Sequence, residues 1–249
     1  MTPLQILFPM GGLGQRFRDQ GYDLPKPLIA VDGEPMVLRA LRSFDGLVGD
    51  LKIIFIVRQD AQTDHGLAES LVDYVPGATC VLLAGNTRGA VETCLVAANL
   101  IDTDTPLVVM DCDLAFRSRE YFSRLSRFGS PDGGDGLLLS FPSQSPRYSY
   151  AQIDASGRVV DTAEKVVISQ NALAGAYGFR SGRLFREYAE RLVTRPLNSE
   201  MREYYLSFLF REMVGAGLTV HLAKADEYHS FGTPEELAAY HRHEAGGSP

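Results

Sequence analysis

A chain of 249 residues, 45% hydrophobic and 22% charged, is long enough to bury one full core and has the composition of an ordinary soluble globule. Its net charge of −7 argues against a nucleic-acid binder, which needs a basic face, and Cys80, Cys94 and Cys112 lack the paired spacing of a disulfide framework or a zinc knuckle. Free thiols suit a reducing cytoplasm, no run of about 18 apolar residues offers a membrane span, and the apolar start is too short for a signal peptide. The expectation is a cytoplasmic protein with neither a membrane nor a nucleic-acid partner.

Residues 4–8 form an apolar run that reads as a buried strand. The run breaks into a loop carrying Gly11, Gly12, Gly14, Arg16 and Arg18, then Pro25-Lys26-Pro27. Glycines after a strand let backbone N–H groups approach an anion, and the cations add charge that backbone dipoles lack. Two prolines stiffen the chain on either side of Lys26. This predicts a phosphate cradle. It is not a dinucleotide fingerprint, because Phe17 stands where the third glycine would be, and no Gly-Lys-Ser/Thr triplet marks a Walker loop.

Further strands are expected at 51–57, 79–83 and 106–110, alternating with helices at 35–44, 61–74 and 88–100, with Pro35 in a first helical turn. Such alternation predicts an α/β fold of three layers, a mostly parallel sheet covered on both faces. A helix at 119–128 leads to a Gly- and Asp-rich break at 129–136. Beyond it, strands at 137–141, 148–153 and 158–162 read as antiparallel, the last two joined by a hairpin at 154–157. Another strand is expected at 174–179, helices at 181–193 and 203–214, a strand at 218–223 and a helix at 234–243. The polar tail 244–249 is expected to fray. No repeat, low-complexity tract or linker interrupts the chain, so residues 1–249 read as a single domain.

Asp111 and Asp113 follow directly on the strand ending at Met110, and ligands of open α/β sheets sit at the carboxyl ends of strands. Two carboxylates there can hold Mg²⁺, a hard cation that bridges phosphates, although a lone Asp-x-Asp more often just ends a strand in solvent. In the stretch 86–93, Thr87 reads as a helix cap and Arg88 as either a phosphate contact or an exposed charge. Glu164 and Lys165 read as a charge pair on an edge strand. Thr233 as N-cap, Pro234 at the first helical position and the acids behind them start a helix on local physics alone. His241 and His243 fall on different helix faces and read as solvated.

Gly-Gly-x-Gly-x-Arg, followed ten residues later by Lys26 in a Pro-Lys-Pro-Leu setting, resembles the signature of the sugar-phosphate nucleotidyltransferases, the NTP-transferase family that makes nucleotide-activated sugars. The segments Phe8-Pro9-Met10-Gly11 and Gly21-Tyr22-x-x-Pro25-Lys26-Pro27-Leu28-Ile29 resemble a short single-domain branch from capsule and surface-glycan pathways. The resemblance implies a Rossmann-like, GT-A-type sheet with a smaller antiparallel excursion on the acceptor side. Residues 1–135 would bind the nucleotide and 136–249 the acceptor.

The resemblance also implies roles. Met10, Gly11, Gly12, Gly14, Arg16 and Lys26 would hold the triphosphate, with Arg88 and Asp111 nearby, while Gly89 and Ala90 leave room for the base. Asp113, assisted by Asp111, would bind Mg²⁺ or Mn²⁺, and Arg16, Lys26 and Asp113 would carry catalysis. Lys165 would bind the acceptor phosphate in a pocket lined by Glu164, Gly175 and Tyr177, with Tyr148 and Tyr150 as walls. Phe231-Gly232-Thr233-Pro234-Glu235 resembles the family's Gly-Thr-Pro-Glu helix entry, but Ser230 stands where many members place a second metal aspartate. Three readings stay open there: Asp113 and Asp111 suffice, Asp226 or His229 compensates, or the chain is catalytically weak.

The implied reaction transfers NMP from an NTP to a phosphorylated small molecule and releases pyrophosphate. The acceptor phosphate is already an oxyanion, so no general base is required. Alternatives are a CTP-dependent enzyme acting on a non-sugar acceptor, a metal-dependent glycosyltransferase of similar sheet architecture, and a nucleotide-binding relative without catalysis. Assembly into a homo-oligomer is left open.

Overall fold

The computed structural model describes residues 3–47 and 49–246, with side chains as far as His243. β1 (Leu4–Met10) is followed by a one-turn helix α1 (Gln15–Arg18), a short ribbon of β2 (Ala30–Val31) and β3 (Glu34–Pro35), and α2 (Met36–Leu41). Then come β4 (Leu51–Arg58), α3 (Gln59–His65), α4 (Leu67–Tyr74), β5 (Thr79–Leu83) and α5 (Ala90–Leu95). The first half closes with β6 (Leu107–Met110), β7 (Leu114–Arg117) and α6 (Arg119–Leu125). The second half supplies β8 (Gly136–Pro142), β9 (Ser149–Ile153), β10 (Val159–Glu164), β11 (Asn171–Phe179), α7 (Gly182–Val193) and α8 (Leu206–Gly215). It ends with β12 (Val220–Lys224), β13 (Glu227–Ser230) and α9 (Pro234–Gly246).

β5, β4, β1 and β6 run parallel; β4, β1 and β6 are apolar strands buried on both faces, as a doubly covered sheet needs, and β5 is its half-exposed edge. Alternation along β1 sends Leu7 into one core and Ile6 and Phe8 into the other. α5, α7 and α8 cover the first face, while α2, α3, α4 and α6 cover the second. Each large side chain fully buried this way contributes roughly 1.5–3 kcal/mol. The result is the expected three-layer, Rossmann-like α/β architecture.

β11 ties the halves together, pairing antiparallel with β6 on one side and β8 on the other. β12 runs parallel to β8, and β9 with β10 forms the antiparallel excursion. The β11–β8 register shifts between Leu173 and Tyr177, where Gly175 has a φ of 73°. A Cβ on Gly175 would lie 2.6 Å from a carboxylate oxygen of Asp111 and 2.5 Å from Leu114. Both the backbone and the space therefore demand glycine.

A third, smaller core unites Phe17, Ile29, Val31, Met36, Ala115, Phe231, Leu237 and Tyr240. It packs the glycine loop, the β2–β3 ribbon, β7 and α9 beneath one end of the sheet.

Several boundaries differ from expectation. The helix expected at 61–74 breaks at Gly66, whose φ of 58° ends α3 and admits α4 at a new angle. The helix expected at 35–44 starts after Pro35, whose ψ of 137° is extended, and tightens into a 3₁₀ turn at Arg42–Phe44. The helix expected at 88–100 begins at Ala90 and ends at Leu95, with a 3₁₀ turn at Ala98–Leu100. Helices expected from 203 and to 128 run from Leu206 and to Leu125. The β7–β13 ribbon was not expected from local pattern; it joins segments more than a hundred residues apart. α9 continues to Gly246, beyond the expected end at 243, and the last three residues of the tail lie outside the described ones. Among the described residues no helix is long and apolar enough to cross a membrane.

Candidate active site

The glycine loop is fixed from beneath. Met10 is buried at the end of β1, and Gly11 has room for no Cβ beyond 3.0 Å from Leu83 and Thr93. The Gly11 carbonyl accepts a bond from Arg58 Nη1 at 3.3 Å, and Arg58 is itself held by Asp60 and by Asn86 at 2.8 Å. Gly14, at φ 65°, heads α1, and a Cβ there would stand 3.2 Å from Cβ of Lys26. Phe17 turns into the third core, which is why this loop has no third glycine at that place. Lys26 sits in a 3₁₀ turn between two buried prolines, with its ammonium 5.8 Å from the Phe17 ring centre.

Lys26 Nζ pairs with Asp113 and lies 3.4 Å from the Gly232 carbonyl. Burial is the strongest single influence and opposes the lysine's charge, but Asp113, Cys112 and Asp111 together outweigh it, and the pKa stands above its ordinary value. Asp111, at the end of β6, is half-buried against Gly175, to whose carbonyl its N–H donates at 2.9 Å. Burial first, and then the charge of Asp113, raise its pKa. Between the two acids, burial pushes the Cys112 thiol up to about 12, which favours the protonated form.

These groups line an open cleft of about 400 Å³ that both halves build. Arg16, Lys26, Ala90, Asp111 and Asp113 come from the first half; Glu164, Lys165, Gly175 and Tyr177 come from the second. Lys165 adopts φ 56° and donates to the Tyr205 hydroxyl at 2.8 Å, with its ammonium 4.7 Å from the centre of that ring. Its pKa is raised, chiefly by this hydrogen bond. Glu164 accepts bonds from the hydroxyls of Ser149 and, at 2.9 Å, Ser207. The Tyr177 hydroxyl is buried deeply enough that desolvation raises its pKa far above normal. Arg147, Tyr148, Tyr205, Tyr228 and Glu236 complete the walls. Of these, the sequence pointed only to Tyr148. Glu236 could have been suspected from its place three residues after the cap Thr233, whose Oγ1 accepts from the Glu236 N–H at 3.2 Å.

Other expected residues lie elsewhere. Tyr150 is wholly buried behind the cleft, its hydroxyl donating to the Ser145 carbonyl at 2.8 Å, because it alternates inward from the cleft-lining Ser149. Arg88 is exposed and engaged by Glu92 at 2.6 Å, its guanidinium lying over Tyr204. The space beside Gly89 is taken by the Tyr204 backbone, 2.5 Å from where a Cβ would stand, so that glycine serves the packing of α8's approach. Thr87 does not cap α5; its hydroxyl meets that of Thr93 at 2.6 Å, and Glu92 takes the Arg88 N–H instead. Gly12 faces open space. His229 does not reach the cleft, because alternation along β13 sends Tyr228 and Ser230 towards it, and Asp226, ahead of the strand, is held on the other side by the Arg119 N–H at 2.9 Å and its guanidinium.

Residues 7–191 match the family described as the MobA-like NTP transferase domain, which is more than half of the chain. The chain belongs to this family. As an NTP transferase it is a nucleotidyltransferase, and the glycosyltransferase alternative falls away. The nucleoside-diphosphate-sugar pyrophosphorylase from Vibrio cholerae RC9 shares 26% identity and superposes with a TM-score of 0.79, over 95% of this chain and 99% of that one. The inositol-1-phosphate CTP transferase from T. maritima shares the fold at 17% identity and a TM-score of 0.74, over 97% and 94% of the two chains. So does a putative glucose-1-phosphate thymidylyltransferase from Bacillus anthracis, at 17% and 0.72, over 96% and 94%. A comparison with curated proteins finds no match.

Proposed function

We propose that this NTP transferase moves a nucleoside monophosphate from an NTP to a sugar phosphate or a similar phosphorylated polyol, releasing pyrophosphate in a Mg²⁺-dependent reaction. The observation that carries the reading is the meeting of the loop lysine, Lys26, with the strand-end acid, Asp113, at a cleft whose opposite wall bears Lys165. A phosphate oxygen of the acceptor forms a bond to the α-phosphorus, the α–β bridging bond breaks, and the electron pair leaves with pyrophosphate; no proton needs to move. What the protein must supply is alignment and charge neutralisation. Arg16 and Lys26 would neutralise the triphosphate, and Lys165 would hold the acceptor phosphate. Residues 1–135 thus take the nucleotide and residues 136–249 the acceptor.

Mg²⁺, or Mn²⁺, fits the donor set, because the acids opening on the cleft offer oxygen alone. Asp113, with Asp111 beneath it, would hold the cation, which when bound supplies positive charge to bridging phosphate oxygens. Four cationic and four acidic side chains line the cleft, a balance that suits a polyanion arriving together with a cation.

The acceptor wall favours a hydroxylated molecule over a quaternary ammonium. Arg147 already covers the Tyr148 ring at 4.8 Å and Lys165 the Tyr205 ring at 4.7 Å, so those faces form no cage for an alkylammonium group. The names of the structural relatives refer to a nucleoside-diphosphate sugar, inositol 1-phosphate and glucose 1-phosphate. Together with the resemblance of segments 8–11 and 21–29, this supports a role in making activated precursors for surface glycans, in a reducing cytoplasm that keeps the three thiols free. Pyrophosphate release should be measured for four NTPs against a panel of phosphorylated sugars, polyols and choline, with and without EDTA. Turnover of phosphocholine alone would sink the acceptor assignment, and undiminished turnover in excess EDTA would sink the metal.

A further inference from the structure

Ser230 ends β13 with its side chain towards the cleft, and a hydroxyl cannot supply the charge of a carboxylate. One turn further on, the first turn of α9 returns a carboxylate to the same place. Glu236 Oε2 accepts the Ser230 hydroxyl at 2.9 Å, while Oε1 pairs with Arg147 and lies 3.4 Å from the Tyr148 hydroxyl. The glutamate side chain is only 15% exposed, so its direction is fixed by these partners rather than by solvent. Gly232 separates it from Asp113. A Cβ on Gly232 would stand 3.1 Å from Glu236 Oε2 and 3.2 Å from Asp113 Oδ2, so the two carboxylates face one small space that glycine keeps clear.

We infer that Glu236 is the second carboxylate for the divalent cation, replacing the aspartate that position 230 lacks, with Ser230 and Arg147 as the residues that aim it. This rests on the metal-dependent reading above. A carboxylate oxygen has lone pairs for both a hydroxyl donor and a cation, so the bond from Ser230 orients Oε2 without consuming it. Arg147 anchors Oε1 and offsets the charge of bringing a second acid next to Asp113. The serine is thus part of a rearranged metal site, one reached from a helix instead of from a strand.

Mn²⁺ titration followed by electron paramagnetic resonance, in the presence of a non-hydrolysable NTP analogue, tests this without turnover. Wild type should bind the ion, Asp113→Asn should lose it, and Glu236→Gln should weaken it at least about tenfold. Ser230→Ala should weaken it by about 3- to 10-fold, the worth of one orienting hydrogen bond. Ser230→Asp combined with Glu236→Gln should restore binding. No Mn²⁺ bound by wild type would remove the metal-dependent reading itself. Loss in Asp113→Asn with unchanged affinity in Glu236→Gln would overturn only the role of Glu236. So would a Glu236→Gln defect that Ser230→Asp leaves unrepaired, since that is the behaviour of a merely structural glutamate.

Discussion

Lys26 and Asp113 are 87 positions apart in sequence and in direct contact in space. Lys26→Ala is expected to lower kcat/KM by about 10²–10³-fold, the roughly 2–4 kcal/mol lost with one preorganised charge donor. Lys165→Ala should instead weaken the acceptor by roughly 10- to 100-fold and leave NTP binding nearly unchanged. Calorimetry with NTP, beside acceptor kinetics, separates the two; equal losses of NTP affinity would refute the division between halves. Gly175→Ala should cost about 2–4 kcal/mol of stability, because the new methyl group meets Asp111 and Leu114 at a left-handed φ. A denaturant midpoint close to wild type would show that β11 bends without its glycine. That Lys26 and Asp113 would line one cleft was legible from a stiffened glycine loop and a strand end, whereas Lys165 was reached only through the family resemblance. Glu236 was not legible, because an acid in a first helical turn already has a sufficient local reason to be there. Arg147 had no pattern around it at all, and Tyr150 misled because strand alternation was not assigned a face.

At the scale of elements, the unbroken apolar strands of the first half declared themselves, since only a doubly covered sheet needs them. Helix breaks were harder to read. Gly66 ends one helix and begins another through a single left-handed residue, and the apolar spacing continues across it. The β7–β13 ribbon was illegible for a different reason: four half-polar residues at 227–230 become a strand only when 114–117 lies beside them. α1 shows how little secondary structure is needed when packing is good. Its four residues hold their place because Phe17, 1% exposed, is locked between α9, β7 and the β2–β3 ribbon. Phe17→Ala should therefore loosen the loop before it loosens the sheet. Hydrogen exchange is expected to speed up across residues 14–29 while β1 and β4 stay protected. Equal acceleration everywhere would mean that the third core is part of the global folding unit.

For the whole molecule, the proposed nucleotide and acceptor halves are not expected to be separate folding units. β11 belongs to the second half by sequence, yet it lies between β6 and β8 and completes the sheet of the first. A fragment of residues 1–135 would leave β6 with an open apolar edge, and it is expected to be unfolded or aggregated by circular dichroism and light scattering. The intact chain should unfold in one transition seen alike by fluorescence and circular dichroism, and a folded fragment would overturn this. The chain-order reading expected a strand at 174–179 but not its place between β6 and β8, because pairing across halves leaves no local trace. The charge layout of the cleft has a kinetic consequence as well. Its four cations and four acids cancel at a distance beyond about 8–10 Å, so an approaching polyphosphate feels mainly the −7 of the whole protein. Capture is then slowed by repulsion from afar, and attraction begins only at the mouth. Raising ionic strength from low values should speed association with NTP instead of slowing it, a sign opposite to that of enzymes that steer their anionic substrates electrostatically. Stopped-flow association rates over a salt series would show the slope, and a fall with salt would mean that the cleft projects a positive field of its own.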